Sequence, residues 1–339
     1  MAIAATAITD IVIPEIYLPY EYLQIINQSK FFQSGIIRID PLITNQLNGG
    51  GTVFNVPARM LDETAAEPIQ TETDLTVYSG TSTQTLTRRQ VFGHAWGEEE
   101  IASALSGSRP EFELPELTGK YWGNHYETAL INCIRGIMAD NIADDSSDIV
   151  NDIGHASDGA LATDANKVSA DAIIDTSMKM ADRVDAFEGG GIVMRSEVYT
   201  RLLKLNLIDF VPIAGQAYGI PTYQTMTVVV DNSLPATAVG SGYDYWTVLF
   251  EKGSVGFGEG GYRPSSFITP IETNRAAGTG VDNLFMRKCY AMNFKGYTWV
   301  ETTVASTNPT LAELYDADNW NRLRDDSRTC GMALLISNG

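Results

Sequence analysis

The chain has 339 residues, 44% hydrophobic, 19% charged and 9% aromatic, proportions that exclude a disordered chain and predict about two globular domains. Asp and Glu number 42 against 23 Lys and Arg, a net charge of −19, which excludes binding nucleic acid broadly by counterion release. No apolar run approaches the ~18 residues of a membrane span, and the start MAIAATAITDIVIPEIY lacks the basic region of a signal peptide; neither export nor membrane insertion is expected.

Residues 1–48 alternate short apolar runs with Pro14, Pro19 and Pro41, so they read as an extended arm with one short helix near residues 20–29. Such a segment has no core of its own and must lie on something else. Gly49, Gly50 and Gly51 follow as a candidate hinge. The strand-like TVFNVP at 52–57 opens a polar excursion to Gln90, with alternation predicting strands in LTVY and TQTLTRRQVF. A short helix is expected at 98–105. The spacing of Trp122, Tyr126, Leu130, Cys133, Ile134, Ile137 and Met138 predicts a long helix over about 118–141, with Thr118 as its cap. An acidic loop follows, without Lys or Arg between Arg135 and Lys167.

Ser169 caps a second predicted helix carrying Ile173, Ile174, Met178, Ala181 and Val184. A short buried strand at 192–194 leads to a third helix capped by Ser196, then to strands in TMTVVVDN, YDYWTVLFEKG and SVGFGEG. Long strands are expected over 265–304, around the Gly-rich AAGTGVDN. The end is read as a helix capped by Thr310 (LAELYDADNWNRLRDD) and a last apolar strand, CGMALLIS. The class is α+β.

No motif for chemistry survives inspection. Gly256, Gly258 and Gly261 spell G-x-G-x-x-G, but dinucleotide binding needs a helix to open at the third glycine. Tyr262-Arg263-Pro264 follows instead, so a strand turn is expected. Asp144, Asp145 and Asp148 lack the alternating ligands of a calcium loop and read as a solvated loop. Cys133, Cys289 and Cys330 sit in apolar contexts and read as buried thiols. With three scattered His, no catalytic, cofactor-binding or metal residues are assigned, and no enzyme activity is expected.

The phrases GGIVMRSEVYTRLLKLNLIDFVP at 190–212, IPTYQTMTVVVDNSLP, FEKGSVGFGEGG, PIETNRAAGTGVDNLFMRKCYAMNFKGYTWVE and TNPTLAELYDADNWNRLRDD resemble, in content and order, the Hong Kong 97-like major capsid proteins of tailed bacteriophages. The resemblance covers most of residues 165–339, and the N-terminal half matches by architecture. It implies an N-arm at 1–48, an extended loop over the neighbouring subunit at 49–95, and a peripheral domain at 96–168 and 262–305 holding the spine helix. The axial domain would be 169–261 and 306–339, and AAGTGVDN would lie near threefold contacts.

The implied function is a coat protein that self-assembles, as hexamers and pentamers, into the icosahedral head shell. The shell would enclose double-stranded DNA without sequence-specific binding. Scaffolding, portal and decoration or cement proteins are the implied partners, the virion capsid the location, and the host cytoplasm the place of assembly. Two other readings stand beside it: an encapsulin-type nanocompartment shell, and an acidic intracellular enzyme.

Four expectations follow from the residues. Arg59, Arg88 and Arg89 are the basic residues of the extended-loop region and are the candidate contacts to acidic groups of a neighbouring subunit. Removing residues 1–30 is expected to leave soluble subunits that cannot close shells, and no propeptide is expected ahead of the arm. No Lys falls between Lys30 and Lys120, so lysine-mediated cross-linking through the extended loop is not expected.

Overall fold

The computed structural model describes residues 23, 25, 29–59, 82–99, 114–154, 163–180, 183–211, 219–239, 242–260, 271–274 and 281–338. The expectations for LTVY, for AAGTGVDN up to residue 280, and for most of the 98–105 helix lie outside these residues.

The longest helix organises the molecule. It spans Leu114–Ala143, about 45 Å at 1.5 Å per residue, and buries Trp122, Tyr126, Leu130, Cys133, Ile134, Ile137 and Met138. These are the residues whose three- and four-residue spacing predicts it. It starts four residues earlier than expected, so Thr118 is a buried interior residue and not its cap.

Numbering helices in chain order, α1 is Lys30–Gln33, α2 Pro41–Asn48, α3 this long helix, α4 Ala170–Ser177, α5 Ser196–Lys204 and α6 Leu311–Tyr315. Ser169 caps α4 by accepting from Ala172 N, and Thr310 caps α6 in a reciprocal box with Glu313. Ser196 does not cap α5. It is the first helical residue, Arg195 holds the cap position, and the Asn232 side chain accepts the Ser196 N–H at 3.0 Å. Both α4 and α6 are shorter than expected. After α4 the chain continues as 3-10 turns, Met178–Met180 and Val184–Phe187. After α6, Asp316 caps a 3-10 turn and the chain turns into a strand.

Two sheets flank this frame. One takes the order β1 (Ile37–Ile39), β11 (Val255–Glu259), β13 (Val281–Phe294), β3 (Ser82–Glu99), β2 (Val53–Arg59), with β12 (Ile271–Asn274) also on β13. β3 occupies residues 98 and 99, where a helix was expected to start, because Glu98 and Glu99 still pair with Asp282 and Val281.

The other sheet takes the order β4 (Val150–Asp152), β16 (Met332–Asn338), β10 (Gly242–Phe250), β5 (Gly191–Met194), β8 (Met226–Val230), β7 (Ile220–Tyr223), β6 (Asp209–Val211), with β9 (Ala236–Val239) on β10. β5 is buried at all four residues, as an apolar central strand must be. β14 (Tyr297–Trp299) and β15 (Trp320–Arg322) form a separate pair.

Sheet membership divides the chain differently from the implied domains. β11, placed with 169–261, belongs to the six-stranded sheet, and β4, placed with 96–168, belongs to the eight-stranded one. Residues 311–322, grouped with the latter part of the chain, pack on α3. There Gly136 has no room for a side chain: a Cβ would lie 2.6 Å from both the Leu314 carbonyl and Trp320 Nε1. One continuous buried cluster runs through α3 and both sheets, with a smaller one beneath α2.

Candidate functional site

The candidate contact residues and hinge meet at the base of the β2–β3 excursion. Asp40 caps α2 by accepting from Leu42 N at 2.9 Å, and Pro41 sits at the first helical position. Gly49 ends the helix at φ −77°, then Gly50 and Gly51 take φ +90° and +94°. That conformation suits glycine and turns the chain sharply into β2. The three glycines thus form a turn of defined shape in this structure.

β2 and β3 then pair antiparallel from Val53↔Arg88 to Arg59↔Ser82. Gln46 Nε2 donates to the Asn55 carbonyl at 2.7 Å, tying α2 to β2. Ile43 and Leu47 of α2, Phe54 and Val56 of β2, and Cys289 and Ala291 of β13 form the smaller buried cluster. The excursion is therefore rooted in its own apolar foot.

The three arginines do not gather into one surface. Adjacent on β3, Arg88 and Arg89 point to opposite faces of the sheet, and both are buried within the subunit. Arg88 pairs with Glu301 at 3.1 Å and donates to the Thr307 carbonyl. Burial lowers its guanidinium below the ordinary value, with Glu301 pulling the other way. Arg89 donates to the Leu47 carbonyl, one of the terminal carbonyls that α2 leaves without an intrahelical partner. These two arginines clamp the excursion's base to residues 301–307 on one side and to α2 on the other. Arg59 closes β2 at the far end, and its side chain lies outside the described residues.

The G-x-G-x-x-G run acquires a packing role. Gly256 and Gly258 lie within β11, and with Gly260 they line the strand face on which α2 rests; Gly261 and the turn expected after it lie outside the described residues. A Cβ on Gly258 would come within 2.6 Å of Ile43, and one on Gly260 within 2.7 Å of Leu47. The signal was legible as alternate glycines, the pattern of a close backbone approach.

The acidic loop is anchored and not merely solvated. Arg322 of β15, its side chain 2% exposed, meets Asp148 at 2.7 Å and Asp145 at 3.7 Å, while Asn141 Nδ2 donates to both carboxylates. Burial works against the Arg322 charge, but the Asp148 carboxylate together with Cys330 and Tyr297 outweighs it and the guanidinium stays above its ordinary value. Asp140 is raised to about 7 by burial first, then by the charges of Asp145 and Asp144.

His125, half-buried against Trp122 and Phe92, is lowered by desolvation to about 4, and its Nε2 meets the Tyr290 hydroxyl at 3.1 Å. Cys133, Cys289 and Cys330 are buried and free, and desolvation lifts the Cys133 thiol to about 12. Among the described residues, no three His, Cys, Asp or Glu side chains converge as a metal site, and no helix is long and apolar enough to cross a membrane. What this arrangement does chemically is hold the base of the β2–β3 hairpin to the body by the Arg88–Glu301 ion pair, apolar contact and a helix-end hydrogen bond.

No protein-family model matches the chain. The curated major capsid protein of Bacillus phage SPP1 is 29% identical over 332 residues, covering 96% of this chain and 96% of that protein. The solved capsid of Ralstonia phage GP4 superposes with a TM-score of 0.54 at 8% identity, covering 92% of each chain, a likeness of fold. The α+β architecture is thus that of a phage capsid subunit. With sequence likeness running along nearly the whole of both chains, the chain is a homologue of phage major capsid proteins, a structural coat protein of a phage head.

Proposed function

We propose that the chain builds the icosahedral head shell of a tailed phage, as hexamers and pentamers of a Hong Kong 97-like subunit around double-stranded DNA. In this reading residues 1–48 are the N-arm, 49–95 the extended loop, 96–168 and 262–305 the peripheral domain, and 169–261 with 306–339 the axial domain. Sheet pairing favours moving β11 to the peripheral part and β4 to the axial part. Assembly takes place in the host cytoplasm, with scaffolding, portal and cement proteins as further partners. The subunit's role is structural and not enzymatic.

The observation that carries the reading is the near-complete alignment with a major capsid protein. The physics agrees with it. Subunits of charge −19 repel one another until many contacts act together, and a closed shell repeats a few interfaces many times. DNA inside such a shell is confined without a basic lining. Light scattering on the size-fractionated chain tests the reading: particles of many copies are expected, and a monomer at every concentration would contradict it.

A further inference from the structure

A cleft of about 630 Å³ opens between α1, α3 and the end of β8 with the turn that follows it, within the size range of small-ligand sites. Phe31, Val229 and Val230 supply its apolar lining, and two carboxylates stand in it, Glu127 of α3 and Asp231 after β8. Glu127 Oε1 accepts the Ser29 hydroxyl at 2.8 Å and the Lys30 N–H at 3.1 Å, and Asp231 Oδ1 accepts the Ser233 N–H at 2.8 Å. Each carboxylate thus uses one oxygen to hold its own chain. The other oxygens, Glu127 Oε2 and Asp231 Oδ2, have no hydrogen-bond partner among the described residues. Burial raises the Glu127 carboxyl and the Asp231 charge adds to the rise, while Ser29 and Lys30 oppose it.

Two half-buried carboxylates that feel each other leave the cleft short of positive charge. Lys30 shows which cation it accepts. This alkylammonium lines the cleft, and its Nζ donates to the Val230 carbonyl at 3.2 Å. We propose that the cleft binds a short aliphatic diamine, with one ammonium on Glu127 Oε2, the other on Asp231 Oδ2, and the methylenes against Val229, Val230 and Phe31. Two acceptors joined by apolar surface match two ammonium groups joined by methylenes. A single amine would satisfy one carboxylate, a divalent metal ion would have to shed water beside the Lys30 ammonium, and an anion would meet both carboxylates. The Asn124 side chain, also in the lining, can accept a further ammonium proton. The inference is independent of the coat-protein reading.

Isothermal titration calorimetry of the full chain, as free subunits at low ionic strength, tests this with diaminobutane. Saturable binding at one site per chain is expected. Glu127→Gln and Asp231→Asn each keep the acceptor oxygen that holds their own chain. Both are expected to melt as wild type does and to bind the diamine at least about tenfold more weakly. They alter different elements, so either carries the measurement if the other misfolds. Asp325→Asn removes an exposed charge elsewhere and is expected to bind as wild type does. Butylamine, with the same carbon chain and one ammonium, is expected to bind at least about tenfold more weakly than the diamine. Three results would overturn the inference: no saturable binding, equal affinity in wild type and all variants, as general attraction to a chain of charge −19 would give, or butylamine binding as tightly as the diamine. Each leaves the coat reading standing, since that reading fails on the absence of shells.

Discussion

At Gly258 the absence of a side chain is what lets α2 lie on β11, with Ile43 and the Thr44 backbone within 3 Å of where a Cβ would be. Gly258→Ala is expected to cost about 1–3 kcal/mol through overpacking, read as a lower melting temperature of the free subunit. Asp140 makes a second residue-level prediction. Its carboxyl is raised from 3.8 to about 7 by burial and by the neighbouring Asp145 and Asp144, with Arg322 opposing and Asp318 adding to the shift. The folded state therefore holds this proton more tightly than the unfolded one. Stability from this group is complete below about pH 4 and is lost as pH rises through about 7. Asp140→Asn should flatten that slope and be more stable than wild type at pH 8, by about 1–2 kcal/mol after allowing for screening by water. Denaturant melts at pH 5 and pH 8 read this directly. Arg88 and Arg89 bond within their own subunit, so on the proposed reading Arg59 is the arginine of residues 49–95 that remains to meet a neighbour. Arg59→Ala is expected to lower particle heat resistance; particles as heat-resistant as wild type would remove it from the interface.

Among the elements, the arm is the one whose reading changes most. Ile25, Phe31 and Ile36 are buried in the main core, and Ser29 Oγ and Lys30 N donate to Glu127 of α3. Removing residues 1–30 would thus strip core contacts as well as any contact to neighbours. Removal of residues 1–30 should therefore lower the melt of the free subunit as well as impair shell closure. What was legible in the sequence was local. The stripe from Trp122 to Met138 gave away α3, and Ser169 and Thr310 marked helix starts with their own side chains. What was not legible was long-range. The pairing of Asp148 with Arg322 spans 174 residues, and the inward turn of Arg88 depends on Glu301 and Thr307, which no local pattern announces. The end of α6 at Tyr315 follows from Trp320, whose Nε1 donates to the Leu314 carbonyl at 2.9 Å, a geometry that a continuing helix would forbid.

For the whole molecule, the proposed coat role predicts that the shell's strength comes from buried area and interlocking elements. No Lys lies between Lys30 and Lys120, so on the proposed assignment of residues 49–95 to the extended loop that segment offers no amine to attack a neighbour's side chain. Lys30 itself donates to the Val230 carbonyl at 3.2 Å within its own subunit. Denaturing electrophoresis of mature particles should therefore show one band near 36.9 kDa; a ladder that survives reducing agent would refute this. The central claim, that the chain is the repeating coat of a phage head, is tested most directly by electron microscopy of the purified full-length protein. Closed shells of uniform diameter built from fivefold and sixfold clusters of this chain are the predicted result. Preparations that contain only dispersed subunits or irregular aggregates, under conditions where the subunit is folded, would contradict it.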